Sequence, residues 1–212
     1  MATAISVRNV FKRFGEETVL NDVCRDFEEG RIHGIVGNNG SGKTVLMKCI
    51  CGFMIPTEGE IYVRDKKVGR DVDFPDDLGI IIETPGFLPD MSAVKNLDVL
   101  ASLNKRASKT VIRETIKKVG LDPDNRKPVG KYSLGMRQRL GLAQAIMEDP
   151  SILILDEPFN GLDKTGVAEM RELIASFKGK KTIILASHNQ SDIDILCDTV
   201  CEMDQGRMTM IR

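Results

Sequence analysis

An α/β domain built on a parallel sheet is what this sequence predicts, and three observations carry the prediction. From Arg31 onward, stretches that read as strands take turns with stretches of helical periodicity, the order that yields parallel pairing through crossover helices. The run LGIII at 78–82 is apolar without a break, as suits a strand covered on both faces. The stretch GNNGSGKT at 37–44 joins one strand to a helix, the setting in which a glycine-rich loop offers backbone N–H groups to a phosphate.

The elements follow in order. AISVRNV and VCRDF alternate in polarity, with the turn-like FGEE between them and EEG after, and predict short antiparallel strands. RIHGIVG is a strand that runs into glycines, Thr44 to Gly52 turns helical, and PTEGEIYVRD returns to strand. Residues 92–127 differ in kind. SAVKNLDVLASLN and SKTVIRETIKKVG are two helical stretches closed by LDPDNRKP, with Glu114 and Lys118 spaced for a supporting ion pair. They predict a helical lobe of approximately 84–132 inserted into a core of 1–83 and 133–212, the whole chain 1–212 forming a single domain. A helix then begins at YSLG, followed by the strand SILIL and a helix from about Lys164 to Phe177 with Val167, Met170, Ile174 and Phe177 on one face. The strand KTIILAS, a short helix and a hairpin, TVCEMDQGRMTM, complete the order.

Composition removes several classes of function. The 212 residues carry a net charge of −1 with acids and bases evenly spread, so nothing marks a surface for nucleic acid or an anionic membrane. Apolar runs fall well short of the ~20 residues of a membrane span, and MATAISVRNVFKR meets charge before a signal-peptide core can form. The chain itself is therefore expected to be soluble and cytosolic. Cys24, Cys49, Cys51, Cys197 and Cys201 form no C-x-x-C pair and read as small buried hydrophobes of a reducing compartment.

Chemistry concentrates at three strand ends. Gly37, Asn38, Asn39, Gly40, Ser41, Gly42, Lys43 and Thr44 match G-x-x-x-x-G-K-[ST]. In that motif the amides surround a β-phosphate, Lys43 reaches the β and γ oxygens, and the Thr44 hydroxyl ligates magnesium. In SILILDEP, Asp156 and Glu157 end four consecutive apolar residues. Paired carboxylates at the tip of a buried strand are costly unless something cationic or protic uses them. Asp156 is read as a magnesium residue acting through the metal's water shell, and Glu157 as the group that polarises an attacking water. His188 follows KTIILAS; since parallel strands converge their C-terminal ends on one crevice, it is expected beside Glu157 and the γ-phosphate, its imidazole hydrogen-bonding the phosphate and orienting the water. His33 is read as an ordinary polar residue of core or surface.

Ser133 in YSLG reads as an N-cap, but Gly135 remains unexplained, because alanine would stabilise a first turn by about 1 kcal/mol. With the P-loop, YSLGMRQR, ILILDE, NGLD and His188 in this order, the chain resembles the nucleotide-binding domain of ATP-binding cassette (ABC) transporters over nearly its whole length. The resemblance implies the ABC ATPase fold, ATP and Mg2+ as ligands, and hydrolysis with Glu157, His188 and Lys43 as catalytic residues. It also implies a head-to-tail dimer, in which the signature residues Ser133, Leu134, Gly135 and Met136 of one subunit cover the nucleotide of the other, and this is where Gly135 finds an expected role. Asn160, Gly161, Leu162 and Asp163 become the D-loop at that dimer interface, and Phe14 takes the place of the aromatic residue that stacks on adenine.

Departures are equally specific. Leu134 and Met136 replace a glycine and a glutamine of the usual signature, Val45 lacks a second hydroxyl after the P-loop threonine, and Glu83 stands where a glutamine normally ligates magnesium. Each lost hydrogen bond costs about 1 kcal/mol. Glu83 with YSLGMRQR resembles the exporter branch that confers resistance to bacitracin and lantibiotics. A separately encoded transmembrane subunit, peripheral attachment to the inner face of the cell membrane and no nucleic-acid partner are implied. The alternative from another class is a soluble ABC ATPase acting on nucleic acid or ribosomes.

Overall fold

The computed structural model describes residues 2–104 and 106–212. Met1, in the N-terminal stretch, and Lys105, between the two predicted lobe helices, lie outside the described residues. Two sheets organise the chain. The first is antiparallel, of strands β1 (Thr3–Phe14), β2 (Glu17–Glu28), β4 (Glu58–Val63) and β5 (Lys66–Lys67) in the order β2-β1-β4-β5. The second contains β3 (Ile32–Val36), β6 (Leu78–Ile81), β7 (Ile152–Asp156), β8 (Thr182–Ala186), β9 (Thr199–Asp204) and β10 (Arg207–Met210). Its order is β10-β9-β3-β8-β7-β6, parallel except for the final hairpin.

The predicted α/β architecture is therefore present, with two corrections at the start of the chain. β1 and β2 are each 12 residues long rather than short, because shifts of register, with Asn9 and Asp22 at positive φ, absorb the places where polar alternation breaks. Cys24 falls in one such irregular stretch and is exposed, unlike the other four cysteines, which are buried. Burial pushes the thiols of Cys51 and Cys197 up to about 12 and that of Cys49 to about 11.

Helices α1 (Lys43–Ile50), α2 (Ala93–Asn104), α3 (Lys109–Lys118), α4 (Leu134–Ile146), α5 (Lys164–Ala175) and α6 (Gln190–Leu196) connect the strands. Period-two alternation divides the central strands between two cores. Leu153, Leu155, Ile183 and Leu185 face one core with α2 to α6. Ile152, Ile154, Ile184 and Ala186 face the other with α1 and the antiparallel sheet. The predicted helical pair is present as α2 and α3, but among the described residues no ion pair joins Glu114 to Lys118; Arg113 instead bonds Asp124 at 2.6 Å, beyond the end of the helix. Buried Asn96 organises the segment leading into α2: its Oδ1 accepts the Leu88 N–H at 2.7 Å and its Nδ2 donates to the carbonyls of Leu88 and Ser92.

Candidate nucleotide site

The strand order decides what meets at the site. β8 lies between β3 and β7, so the loops leaving the C-terminal ends of these parallel neighbours open side by side. They carry Gly37 to Thr44, Ser187 to Asn189, and Asp156 with Glu157. A cavity of about 590 Å³ is lined there by Asn39, Gly40, Gly42, Lys43, Thr44 and Val45, together with Glu83, Asp156 and Glu157. Asn38 and Ser41 belong to the same loop.

The loop is built for an anion. α1 begins at Gly42 in the left-handed region, φ 107°, with no side-chain cap, whereas α3, α4, α5 and α6 are capped by Ser108, Ser133, Asp163 and Asn189. The first amides of α1 are thus left for a ligand. At Gly37, φ 144°, a Cβ would lie 2.1 Å from the Met203 carbonyl, so glycine is needed for the chain to pass. Lys43 is 7% exposed. Its Nζ donates to the carbonyls of Gly37 at 2.7 Å and Asn38 at 3.0 Å, and among the described residues no carboxylate pairs with it. The buried Ser41 Oγ has no hydrogen-bond partner there. A buried unpaired cation, an orphaned hydroxyl and free helix amides all fit a phosphate chain.

The Thr44 hydroxyl donates to Asp156 Oδ2 at 2.6 Å. This joins the two strand ends and sets a hydroxyl beside a carboxylate, hard oxygen donors of the kind magnesium prefers. Glu83 lines the cavity, but its carboxylate bonds Lys48 Nζ at 2.5 Å and not the Thr44–Asp156 pair. Glu157 takes φ 50°, a left-handed conformation costing a non-glycine residue about 1–3 kcal/mol. Its carboxylate Oε2 lies 2.8 Å from His188 Nδ1, as the convergence of strand ends predicts. The His188 loop is itself braced: the Ser187 hydroxyl donates to buried Asp192 at 2.7 Å and accepts the Asn189 N–H, while Arg171 Nε donates to Asp192 at 2.7 Å.

Other predicted residues sit around this centre. Phe14 is 46% exposed at the β1–β2 turn; it lies outside the cavity lining, to which the same hairpin contributes Glu17 and Val19. Ser133 caps α4, accepting the Met136 N–H at 3.2 Å, and its own proton remains available for donation. Leu134 borders the cavity of its own chain. Gly135 corrects the sequence reading, since a single copy accounts for it: a Cβ there would lie 2.6 Å from the Gly161 carbonyl. Asn160 lines the cavity, Leu162 packs against the core and Asp163 caps α5. One residue escaped the sequence reading. Gln138, buried on α4, lines the cavity and donates to the Glu157 carbonyl at 3.1 Å. Its signal was a polar residue on the inward face of a helix, between Gly135 and Gly141.

Fold and site together define a P-loop nucleoside-triphosphatase cassette. The profile of the ABC transporter family matches residues 20–160. The chain is 43% identical to an uncharacterized ABC transporter ATP-binding protein, YybJ of Bacillus subtilis (strain 168), over 96% of this chain and 94% of the relative. It is 38% identical to the bacitracin transport ATP-binding protein BcrA of Enterococcus faecalis, over 98% of this chain and 68% of that one. The lantibiotic transport ATP-binding protein SrtF of Streptococcus pyogenes is 36% identical over 97% and 89%. Among solved structures, a dimeric structure of MJ0796, a bacterial ABC transporter cassette, superposes with a TM-score of 0.87 at 23% identity, covering 98% of this chain and 99% of that one. The chain belongs to the ABC transporter family, as an ATP-binding subunit with the ATPase activity of that family.

Proposed function

We propose that the chain powers export of a peptide antibiotic or a similar small molecule through a separately encoded membrane subunit, by closing head to tail with a second cassette over two ATP molecules. The observation that carries the catalytic part is the meeting of Lys43, the Thr44–Asp156 pair and the Glu157–His188 pair at three adjacent strand ends. Lys43 and the loop amides hold the β- and γ-phosphates. Glu157 orients a water and accepts its proton, and His188 holds the Glu157 carboxylate in place from the neighbouring loop. Thr44 and Asp156 are the residues that would hold magnesium, which when bound neutralises charge on the phosphate oxygens; Glu83 is the third candidate, once released from Lys48. Phe14, at the rim, would stack on adenine.

Two relatives named for bacitracin and lantibiotic transport support the class of cargo. Among the described residues no helix is long and apolar enough to cross a membrane; the relatives named as transport ATP-binding proteins support attachment to the inner face of the membrane through a partner subunit. The lobe of 84–132 is proposed to transmit closure to that subunit, the core of 1–83 and 133–212 holding the nucleotide. Glu157→Gln tests the catalytic assignment: it is expected to bind ATP as the parent does and to lose about 10²–10⁴ of turnover. Hydrolysis at the parental rate would overturn the role of Glu157. Co-purification with a membrane protein supports the transport reading, and co-purification with RNA or DNA contradicts it.

A further inference from the structure

Glu157 is gripped through its backbone as well as its carboxylate. Its N–H donates to the Ala186 carbonyl on β8 at 2.9 Å. Its own carbonyl accepts two bonds, from Gln138 Nε2 at 3.1 Å and from the Asn160 N–H at 3.2 Å. The left-handed φ of 50° aims the side chain toward His188, and non-glycine residues rarely hold such a conformation without outside support. Of these supports, only Gln138 is a side chain from outside the strand ends.

Gln138 is 6% exposed and stands on α4, five positions after the cap Ser133. The N-terminal turn of the same helix touches the same loop a second time. Leu134 packs on Gly161, and Gly135 lies so near the Gly161 carbonyl that a Cβ would fall 2.6 Å from it. The first two turns of α4 therefore cover the segment 157–161 at both ends. A buried amide on the packed face of a helix is tolerated when its donor is satisfied, and here the satisfied partner is the carbonyl of the residue read as the general base.

We infer that Gln138 is a positioning residue for Glu157, which couples the α4 N-terminus to the catalytic carboxylate of the same chain so that the two move as one body. Resting on the dimer reading above, the consequence is communication between sites. The α4 N-terminus meets the partner's triphosphate, and its displacement is passed through Gln138 to the Glu157 that serves the chain's own triphosphate. A site so connected hydrolyses at full rate only when the opposite face is engaged.

The test is a double-mutant cycle with Gln138→Leu, which keeps the volume and removes the donor, and Glu157→Gln, read by steady-state and single-turnover ATP hydrolysis. Gln138→Leu is expected to lower kcat about tenfold with KM within about twofold, the pattern of a misplaced catalytic group, and to lower the cooperativity in ATP. Placed on Glu157→Gln it is expected to add no further loss to the residual turnover, since the group it positions is already disabled. Equal loss in both backgrounds, a rise in KM alone, or an unchanged kcat would overturn the assignment. Gln138→Met, equally without a donor and more flexible, repeats the cycle if the leucine variant fails to fold. Parental turnover by Glu157→Gln would sink the catalytic reading itself, whereas an inactive Glu157→Gln beside a fully active Gln138→Leu would sink only this inference.

Discussion

Single residues at the site are held by contacts that are costly unless a ligand completes them. Lys43 is a buried ammonium on two backbone carbonyls, Ser41 Oγ is an orphan, and Glu157 sits in the left-handed region. Each is a local expense that an anionic ligand or a catalytic task explains. Gly135 has a different cause, a backbone that passes against Gly161, and this allows a direct check. Gly135→Ala gains about 1 kcal/mol of helix propensity, but forces its Cβ on a backbone oxygen that cannot swing aside, a cost of about 1–3 kcal/mol. A net loss of stability is expected in urea unfolding of nucleotide-free, dilute protein; equal or greater stability would return Gly135 to a purely intermolecular role. The motif residues were legible in the sequence because their chemistry is set by spacing along one strand and one loop. Gln138 and the Gly135–Gly161 contact were not, since each depends on how a helix lies over a segment about twenty residues away.

Elements show the same division. β7 and β8 were legible because burial on both faces leaves unbroken apolar runs, ILIL and IILA. In β1 and β2 bulges interrupt the alternation while the pairing continues, so the sequence pattern predicts strands shorter than those formed. The Glu114–Lys118 spacing was present without the contact, as is common for exposed pairs worth only tenths of a kcal/mol. His33 on β3 ties elements together, its Nδ1 2.7 Å from Thr199 Oγ1 on β9 and its Nε2 2.9 Å from the Glu28 carbonyl on β2. Burial holds its imidazole below the ordinary value of 6.5, outweighing the Glu28 bond that raises it. The unfolded chain therefore takes up this proton at a higher pH than the folded chain. Its stabilising contribution is full above about pH 6.5 and declines as the pH falls below that, by up to about 1.4 kcal/mol per pH unit. Urea unfolding at pH 7.5 and 5.5 is expected to show this decline in the parent and a smaller one in His33→Gln; an equal decline in both would remove His33 as its source.

At the scale of the whole molecule, strand order brings the chemistry together. Sequence order places the P-loop strand, the Asp156 strand and the His188 strand far apart, and only the arrangement β3-β8-β7 makes them neighbours. That they would converge was legible from the rule for parallel sheets; which strand lies between the others was not, because pairing is non-local. The finished site has the phosphate-binding loop and two carboxylates lining one cavity, and at its border the cap of α4 presents an exposed face, with Ser133 able to donate and Leu134 exposed. The central claim is that this face closes over the triphosphate of a second copy. Sedimentation velocity of Glu157→Gln saturated with Mg-ATP tests it most directly. The account predicts a nucleotide-dependent dimer that Ser133→Arg abolishes while ATP still binds; a monomer at every attainable concentration, with ATP bound, would contradict it.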